Sequence, residues 1–195
     1  CDEVGALLVF DEVQCGVGRT GRLFAYEHYG VEPDIMLCAK AIGGGFPLGA
    51  LLATEAAASG MVAGTHGSTY GGNPLGCAVG IAVLEEVLAD GFLDEVSRKA
   101  GTWRQKLEGL VASHPRVLKG VRGEGLMFGL ECVVPNVDVV KAGYDAQVLT
   151  VPAADNVVRL LPPLNIAEEE ISEAMDRLTK AVAAVDSALP AEAPA

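Results

Sequence analysis

Two short apolar runs, each ending at a charged residue, constrain the fold of this chain more than any other feature. The first run, 6–10, ends at Asp11, and the second, 35–39, ends at Lys40. Continuous apolar runs of this length are typical of strands that are buried on both faces, as in a parallel sheet covered by helices. Ligands of such sheets bind at the carboxyl ends of the strands. The pattern therefore predicts that a carboxylate and an amine lie together at one edge of an α/β sheet.

The composition argues against several classes of function and partner. The 195 residues carry a formal net charge of −12 and no basic block, which argues against a nucleic-acid surface or an anionic membrane as partner. No apolar run approaches the roughly 18–20 residues of a membrane span, and a cytoplasmic protein is expected. Five scattered cysteines without a CxxC pair and three histidines without metal-binding spacing indicate neither a disulfide framework nor a metal site.

The chain is expected to form two domains. Residues 1–92 show the strand and helix pattern of an α/β layer, and residues 93–188 that of a smaller α+β unit. The tail 189–195, rich in Pro and Ala, is predicted to be disordered. Residues 1–5 resemble the last turn of a helix closed by a glycine, which predicts further residues upstream. The elements predicted in the second half are helices at 93–111 and 138–146, strands at 117–122, 126–133 and 157–161, and a last helix with an apolar stripe from 171 to 185.

Several motifs around Asp11 and Lys40 keep the order and spacing of one enzyme family. They are LVFDEVQCGVGRTG at 8–21, PDI at 33–35, AKAIGGGFPLGA at 39–50 and HGSTYGGNP at 66–74. Together they resemble the class III (ornithine-type) aminotransferases, and the likeness extends from residue 1 to about residue 185. The resemblance implies a fold type I pyridoxal-phosphate-dependent transferase. The chain matches the C-terminal half of that fold, with part of the large-domain parallel sheet followed by the small C-terminal α+β domain.

The resemblance assigns the central catalytic roles to Asp11 and Lys40. Asp11 would pair with the pyridinium nitrogen of pyridoxal 5′-phosphate and keep it protonated, which makes the ring an electron sink. Lys40 would form the covalent imine with the cofactor aldehyde and later move the proton between the substrate and the cofactor, since a lysine amine is an established nucleophile. A strand-end aspartate that caps a turn and a solvated surface lysine are the structural alternatives.

Three further residues complete the expected cofactor site. Val13 would stack on the pyridine ring, on the same side of an extended segment as Asp11. Gln14 would hydrogen-bond the 3-oxygen of the ring, and Thr69 would bind the phosphate from a glycine-rich turn. Taken singly, Val13 would be interpreted as a core residue and Gln14 as a surface amide. Glu12 alternates away from the site and is expected to be structural.

Substrate binding is expected from Arg159 and Ser68. Arg159 matches the family's arginine for the substrate α-carboxylate, which a guanidinium can bind through two parallel hydrogen bonds. Ser68 would lie near the substrate, on the segment that one subunit of a homodimer extends into its neighbour's site. A solvent-facing strand arginine and a plain loop before a helix are the alternatives. The resemblance places most of the phosphate-binding loop, and the aromatic residue on the ring's other face, in family sequence that this chain does not contain.

The implied activity is ping-pong transamination, in which the δ-amino group of N2-acetylornithine passes to 2-oxoglutarate in arginine biosynthesis. Ornithine, succinylornithine and 4-aminobutyrate are the alternative amino donors. A decarboxylase or racemase on the same fold is less favoured, because the flanking motifs resemble the ω-aminotransferases most. From a different class, the chain could be a catalytically silent unit for folding or dimerisation. Covalent attachment of the cofactor to Lys40 discriminates the enzyme from the silent unit.

Overall fold

The structure is a computed structural model, and it describes residues 1–190 of the chain. The chain divides into two compact units, Cys1–Glu95 and Val96–Ala195, with the division three residues beyond the predicted boundary at 92. The first unit carries a three-stranded sheet and the second a four-stranded sheet. Both units combine strands with helices, as the expected α/β fold class requires. Of the tail predicted to be disordered, 191–195 lies outside the described residues.

The first unit is built on strands β1 (Val9–Asp11), β2 (Ile35–Cys38) and β3 (Ala50–Ala53). β1 and β2 are parallel, whereas β3 pairs antiparallel with β2. Two α-helices follow, α1 (Glu55–Ala58) and α2 (Pro74–Val87). Three 3₁₀ turns lie at Asp2–Val4, Ala25–His28 and Lys40–Gly43.

Helix α2 begins at a residue whose side chain caps it. The side chain of Asn73 accepts a hydrogen bond from the backbone N–H of Gly76 at 2.7 Å, which satisfies one of the free donors of the first turn. Pro74 occupies the first helical position, where its missing N–H costs no hydrogen bond. The capping residues thus fix the end of the exposed segment that contains Ser68 and Thr69.

The strands of the first unit are less buried than expected. Met36 and Cys38 of β2 are buried, but Leu7 and Val9 of the first apolar run are 54% and 49% exposed, and all four residues of β3 are exposed. The expectation that these apolar runs are covered on both faces was wrong for the described chain. Apolar side chains favour burial, but they are buried only where a second layer of structure covers the strand.

The second unit contains an antiparallel sheet in the order β4-β5-β7-β6. Its strands are β4 (Leu118–Glu124), β5 (Met127–Cys132), β6 (Val151–Ala153) and β7 (Val157–Leu160). The helices are α3 (Phe92–Ser113), which crosses the boundary between the units, α4 (Asn136–Asp145) and α5 (Glu168–Ala188).

The hydrophobic core of the second unit lies between one face of this sheet and the helices. Phe128 and Leu130 of β5 are fully buried, as are Leu107 of α3 and Leu178 of α5. Trp103 is buried on α3 and donates its indole N–H to the sulfur of Met175 at 3.1 Å. None of the helices in residues 1–190 is both long and apolar enough to cross a lipid bilayer.

Candidate active site

Asp11 and Lys40 lie at the same edge of the first sheet. The register of the parallel pair sets Asp11 opposite Leu37, and Lys40 follows Leu37 by three residues. Parallel strands end at a common edge, where α/β proteins place their ligands. Both side chains belong to exposed residues. The strand register therefore brings a carboxylate and an amine to one accessible edge of the sheet.

The backbone at Lys40 adopts a conformation that is rare for a residue with a side chain. Its φ angle is +48°, and it begins the 3₁₀ turn Lys40–Gly43. A left-handed conformation at a residue other than glycine costs on the order of 1–3 kcal/mol and persists only where the surroundings hold it, often at functional sites. No signal in the sequence beyond the glycines at 43–45 indicated this turn.

The glycines after Lys40 allow helix α2 to pack closely on this turn. A Cβ atom at Gly44 would lie 2.8 Å from Cγ2 of Val83, and one at Gly80 would lie 2.9 Å from Cδ2 of Leu48. Gly44 also has a φ of +53° and ends the 3₁₀ turn. Gly44 thus ends a tight turn next to the lysine, and helix α2 packs against this turn.

The chain turns immediately after Asp11. One carboxylate oxygen of Asp11 accepts a hydrogen bond from the backbone N–H of Val13 at 3.0 Å. The N–H of Gly16 binds the carbonyl of Glu12 at 3.0 Å, which closes a further turn. The extended segment expected through Val13 is absent, so the alternation that placed Val13 on the side of Asp11 does not apply. Val13 and Gln14 are half-buried in the turn that follows the strand.

Glu12 is the buried anchor of this turn, in keeping with its expected structural role. The residue is 3% exposed, and one carboxylate oxygen accepts the backbone N–H of Tyr26 at 2.9 Å. The other oxygen accepts the thiol of Cys15 at 3.1 Å. Burial, followed by the hydrogen bond and the charge of Glu12, raises the pKa of Cys15 to about 12. The thiol is therefore a structural donor at neutral pH.

Ser68 and Thr69 lie in an exposed segment, in which every residue from 61 to 72 is exposed. The hydroxyl of Ser68 accepts a local hydrogen bond from the backbone N–H of Gly71 at 2.9 Å. The segment ends at the capping residue Asn73. The structure thus places both hydroxyl residues on an accessible loop that leads into helix α2.

Arg159 lies in the second unit, whereas the other predicted site residues lie in the first. It is half-buried on β7, opposite Gly129 of β5 and Val151 of β6. Residues directly opposite each other in an antiparallel sheet point to the same face. The core residues Val158 and Leu160, which flank Arg159, belong to the other face of β7.

A cavity of the first unit lies at the opposite end of β2 from Lys40. It has a volume of about 310 Å³, and Asp34, Met36 and Thr54 are among its lining residues. Asp34 is a structural residue there, since its carboxylate accepts the backbone N–H of Leu8 at 2.7 Å. Within residues 1–190 no group of three potential ligand side chains is arranged to hold a metal ion.

The residues at the edge of the first sheet fit pyridoxal phosphate as a cofactor. An accessible carboxylate can bind a protonated pyridine nitrogen, and an accessible amine can react with an aldehyde. Asp11 and Lys40 provide these two groups at the ends of neighbouring strands. The donor set is therefore compatible with this cofactor.

Comparisons with known proteins agree with this chemistry. The family model described as aminotransferase class-III matches residues 1–182. The chain is 67% identical over 187 residues to an acetylornithine aminotransferase of Rhodobacter capsulatus, covering 96% of this chain and 48% of the relative. The chain thus spans about half the length of this curated relative.

Solved structures show the same relationship. An N-acetylornithine aminotransferase of Stenotrophomonas maltophilia matches with a TM-score of 0.85 and 37% identity, over 97% of this chain and 50% of that one. An ornithine aminotransferase of Toxoplasma gondii, described with partial occupancy of PLP at its active site, matches with a TM-score of 0.88 and 36% identity, over 96% of this chain and 45% of that one. These similarities extend over both units of the chain.

Proposed function

Because the chain belongs to the class III aminotransferases, we propose that the protein to which it contributes transfers the δ-amino group of N2-acetylornithine to 2-oxoglutarate. The observation that carries the proposal is the location of Asp11 and Lys40 at the ends of two adjacent parallel strands. The identity of 67% to an acetylornithine aminotransferase supports this amino donor. The reaction would serve arginine biosynthesis in the cytoplasm.

Asp11 is the residue proposed to bind the ring nitrogen of pyridoxal phosphate. When bound, this cofactor supplies an electron sink for the bond that breaks at the substrate carbon. An adjacent carboxylate stabilises the protonated form of a pyridine nitrogen by charge attraction. The hydrogen bond from Val13 fixes one oxygen of the Asp11 carboxylate, which orients the group at the sheet edge.

Lys40 is proposed to hold the cofactor covalently and then to act as the proton carrier. Its amine would be the group that bonds the cofactor aldehyde, and as a free base it would carry the proton at the substrate carbon. A base that moves a proton between the substrate and the cofactor must stay within reach of both. The close packing of Gly44 and Gly80 against their neighbours supplies a rigid support for that position.

Four further residues are proposed to contact the cofactor or to lie near the substrate. Val13 would contact the face of the ring and Gln14 its 3-oxygen, from the turn that Glu12 anchors. Thr69 would bind the phosphate, and Ser68 would lie near the substrate. Their exposed loop suits a homodimer in which the segment reaches the neighbour's site.

Arg159 is proposed to bind the α-carboxylate of the substrate. A planar guanidinium can form two parallel hydrogen bonds to a carboxylate. The fixed register of β7 against β5 gives the side chain a defined face of the sheet. N2-acetylornithine and 2-oxoglutarate, the substrates of the two half-reactions, each carry an α-carboxylate that the arginine could bind.

An ornithine aminotransferase is the second candidate, because solved ornithine aminotransferases are among the structural neighbours. Single-turnover absorbance changes of the cofactor-loaded protein with N2-acetylornithine, ornithine, succinylornithine and 4-aminobutyrate separate the two. The proposal expects the highest kcat/KM with N2-acetylornithine. A higher value with unmodified ornithine would overturn the assigned donor, and no conversion with any donor would support a silent unit.

A further inference from the structure

We propose that Asn136 and Asn156 are positioning residues for Arg159, and that they set the affinity for the substrate carboxylate without contacting the substrate. The inference rests on the proposed function, in which Arg159 binds that carboxylate. It is carried by a hydrogen-bond network in the second unit that ties the β6–β7 hairpin to the end of β5 and the start of α4. The network determines the path of the strand on which Arg159 lies.

The side chain of Asn156 joins the hairpin to the segment between β5 and α4. Its amide nitrogen donates to the carbonyl of Cys132 at 2.9 Å and to that of Val134 at 2.8 Å. Its amide oxygen accepts the backbone N–H of Asn136 at 2.8 Å. The backbone adds a further bond, since the N–H of Cys132 donates to the carbonyl of Asn156 at 3.0 Å. All three of these side-chain hydrogen bonds join Asn156 to backbone groups outside the hairpin.

The side chain of Asn136 holds the hairpin from the other direction. Its amide nitrogen donates to the carbonyl of Ala153 at 2.9 Å and to that of Val157 at 2.8 Å. Ala153 is the last residue of β6 and Val157 the first of β7. One side chain at the start of α4 therefore clamps both strands of the hairpin where they meet the turn.

The turn itself requires residues that tolerate a left-handed backbone. Asp155 has a φ of +58° and Asn156 a φ of +57°, and Asn and Asp adopt such values more readily than most residues. The carboxylate of Asp155 binds Arg122 at 3.2 Å, but its side chain is 75% exposed. An ion pair in that setting contributes little. The two asparagines are therefore the main attachment of the turn.

The attachment matters for Arg159 because the strands are short. β6 has three residues and β7 four, and Arg159 lies three residues beyond Asn156. Successive side chains of a strand point to opposite faces, so a slip by one residue would turn Arg159 toward the core side. Two short ladders oppose such a slip, with three residue pairs between β7 and β6 and four between β7 and β5. The asparagine network fixes the start of β7 and hence the direction of Arg159.

The test compares Asn156→Gly with the unchanged cofactor-loaded protein. Glycine keeps the left-handed backbone and removes every side-chain hydrogen bond. We expect KM for the amino donor to rise about tenfold, equivalent to about 1.4 kcal/mol, while kcat per cofactor-loaded site stays within about twofold. Glutarate is a dicarboxylate without an amino or keto group. Its dissociation constant, measured by calorimetry, should rise by a similar factor. Amide hydrogen exchange should accelerate across 157–160.

Two further variants make the result decisive. Asn136→Asp suits the first turn of a helix, so folding should be retained, but it replaces both donors to the hairpin and should raise KM in the same way. Asp155→Gly is the matched control, because it alters the same turn at a similar φ and removes only the exposed ion pair. It should leave KM and glutarate binding unchanged.

Arg159→Gln separates failure of this inference from failure of the proposed function. If Arg159→Gln weakens glutarate binding but both asparagine variants leave it unchanged, the positioning role is overturned and the function stands. A lower melting temperature with unchanged KM in the asparagine variants would likewise reduce them to a structural role. If Arg159→Gln also has no effect, the carboxylate-binding role of Arg159 fails, and the positioning role fails with it.

Discussion

The buried carboxylate of Glu12 accepts the backbone N–H of Tyr26 at 2.9 Å, across fourteen residues of chain. The bond closes the loop that begins directly after Asp11, and the second oxygen of the same carboxylate holds the thiol of Cys15. The residue next to the proposed catalytic aspartate is thus a structural one. It determines where the proposed ring-contacting residues Val13 and Gln14 lie.

Glu12→Ala should destabilise the protein by about 1–3 kcal/mol, because the partly buried backbone N–H of Tyr26 loses its acceptor. Glu3→Ala is the matched control, since Glu3 is exposed near the start of the same unit. Denaturant titration measures the free energy of unfolding of both variants. Equal unfolding midpoints for the two variants would contradict the anchoring role of Glu12.

Cys15 should resist alkylation at pH 8, whereas the exposed thiols of Cys1 and Cys77 react. A pKa of about 12 in place of 9.0 lowers the thiolate fraction about a thousandfold at this pH. The folded protein holds this proton more tightly than the unfolded chain, so the stability from Cys15 is complete below about pH 9 and is lost as the pH rises toward 12. Mass spectrometry after timed iodoacetamide treatment measures the rates, and rapid labelling of Cys15 in the folded protein would refute the pKa.

Gly44→Ala should destabilise the protein by about 1–3 kcal/mol, because the new Cβ meets Val83 at a φ that disfavours a side chain. Gly101→Ala is a control that should change the stability in the opposite direction, since Gly101 lies inside α3 with no atom within 4 Å of an added Cβ. It should stabilise by about 0.5–1 kcal/mol. Chemical denaturation compares the two, and a neutral Gly44→Ala would show that the turn after Lys40 is not tightly packed.

Asp11→Asn should lower kcat of the cofactor-loaded protein by about 10²–10³-fold, the usual range for losing one preorganised electrostatic contact. The amide still accepts the N–H of Val13, so the turn should persist. Asp2→Asn, at an exposed position outside the sheet, should leave kcat unchanged. A kcat for Asp11→Asn within about twofold of the unchanged protein would exclude Asp11 as the partner of the ring nitrogen.

The sequence predicted those elements whose signals are local. Helix α3 was expected at 93–111 and is found at Phe92–Ser113, and the strand expected at 157–161 is found at Val157–Leu160. Capping residues and side-chain periodicity act within one element, so they can be recognised without the rest of the fold. The ends of β1 and β2, where Asp11 and Lys40 lie, were also predicted from the local sequence.

Features that depend on neighbouring elements were missed. Strand β6 contains Pro152, which lacks a backbone donor and is tolerated because β6 is an edge strand. The left-handed φ of Lys40 occurs in the turn on which α2 packs, and the turn at Val13 adjoins the buried carboxylate of Glu12. The exposure of β3 likewise reflects which layers surround it rather than its own composition.

The central claim is that Lys40 holds pyridoxal phosphate at the edge of the first sheet. The most direct test is incubation with the cofactor, borohydride reduction and peptide mass mapping, with Lys40→Ala as the control and the other five lysines as internal references. The account predicts a phosphopyridoxyl group on Lys40 and none in the variant. Labelling spread over the other lysines, or unchanged in Lys40→Ala, would contradict it.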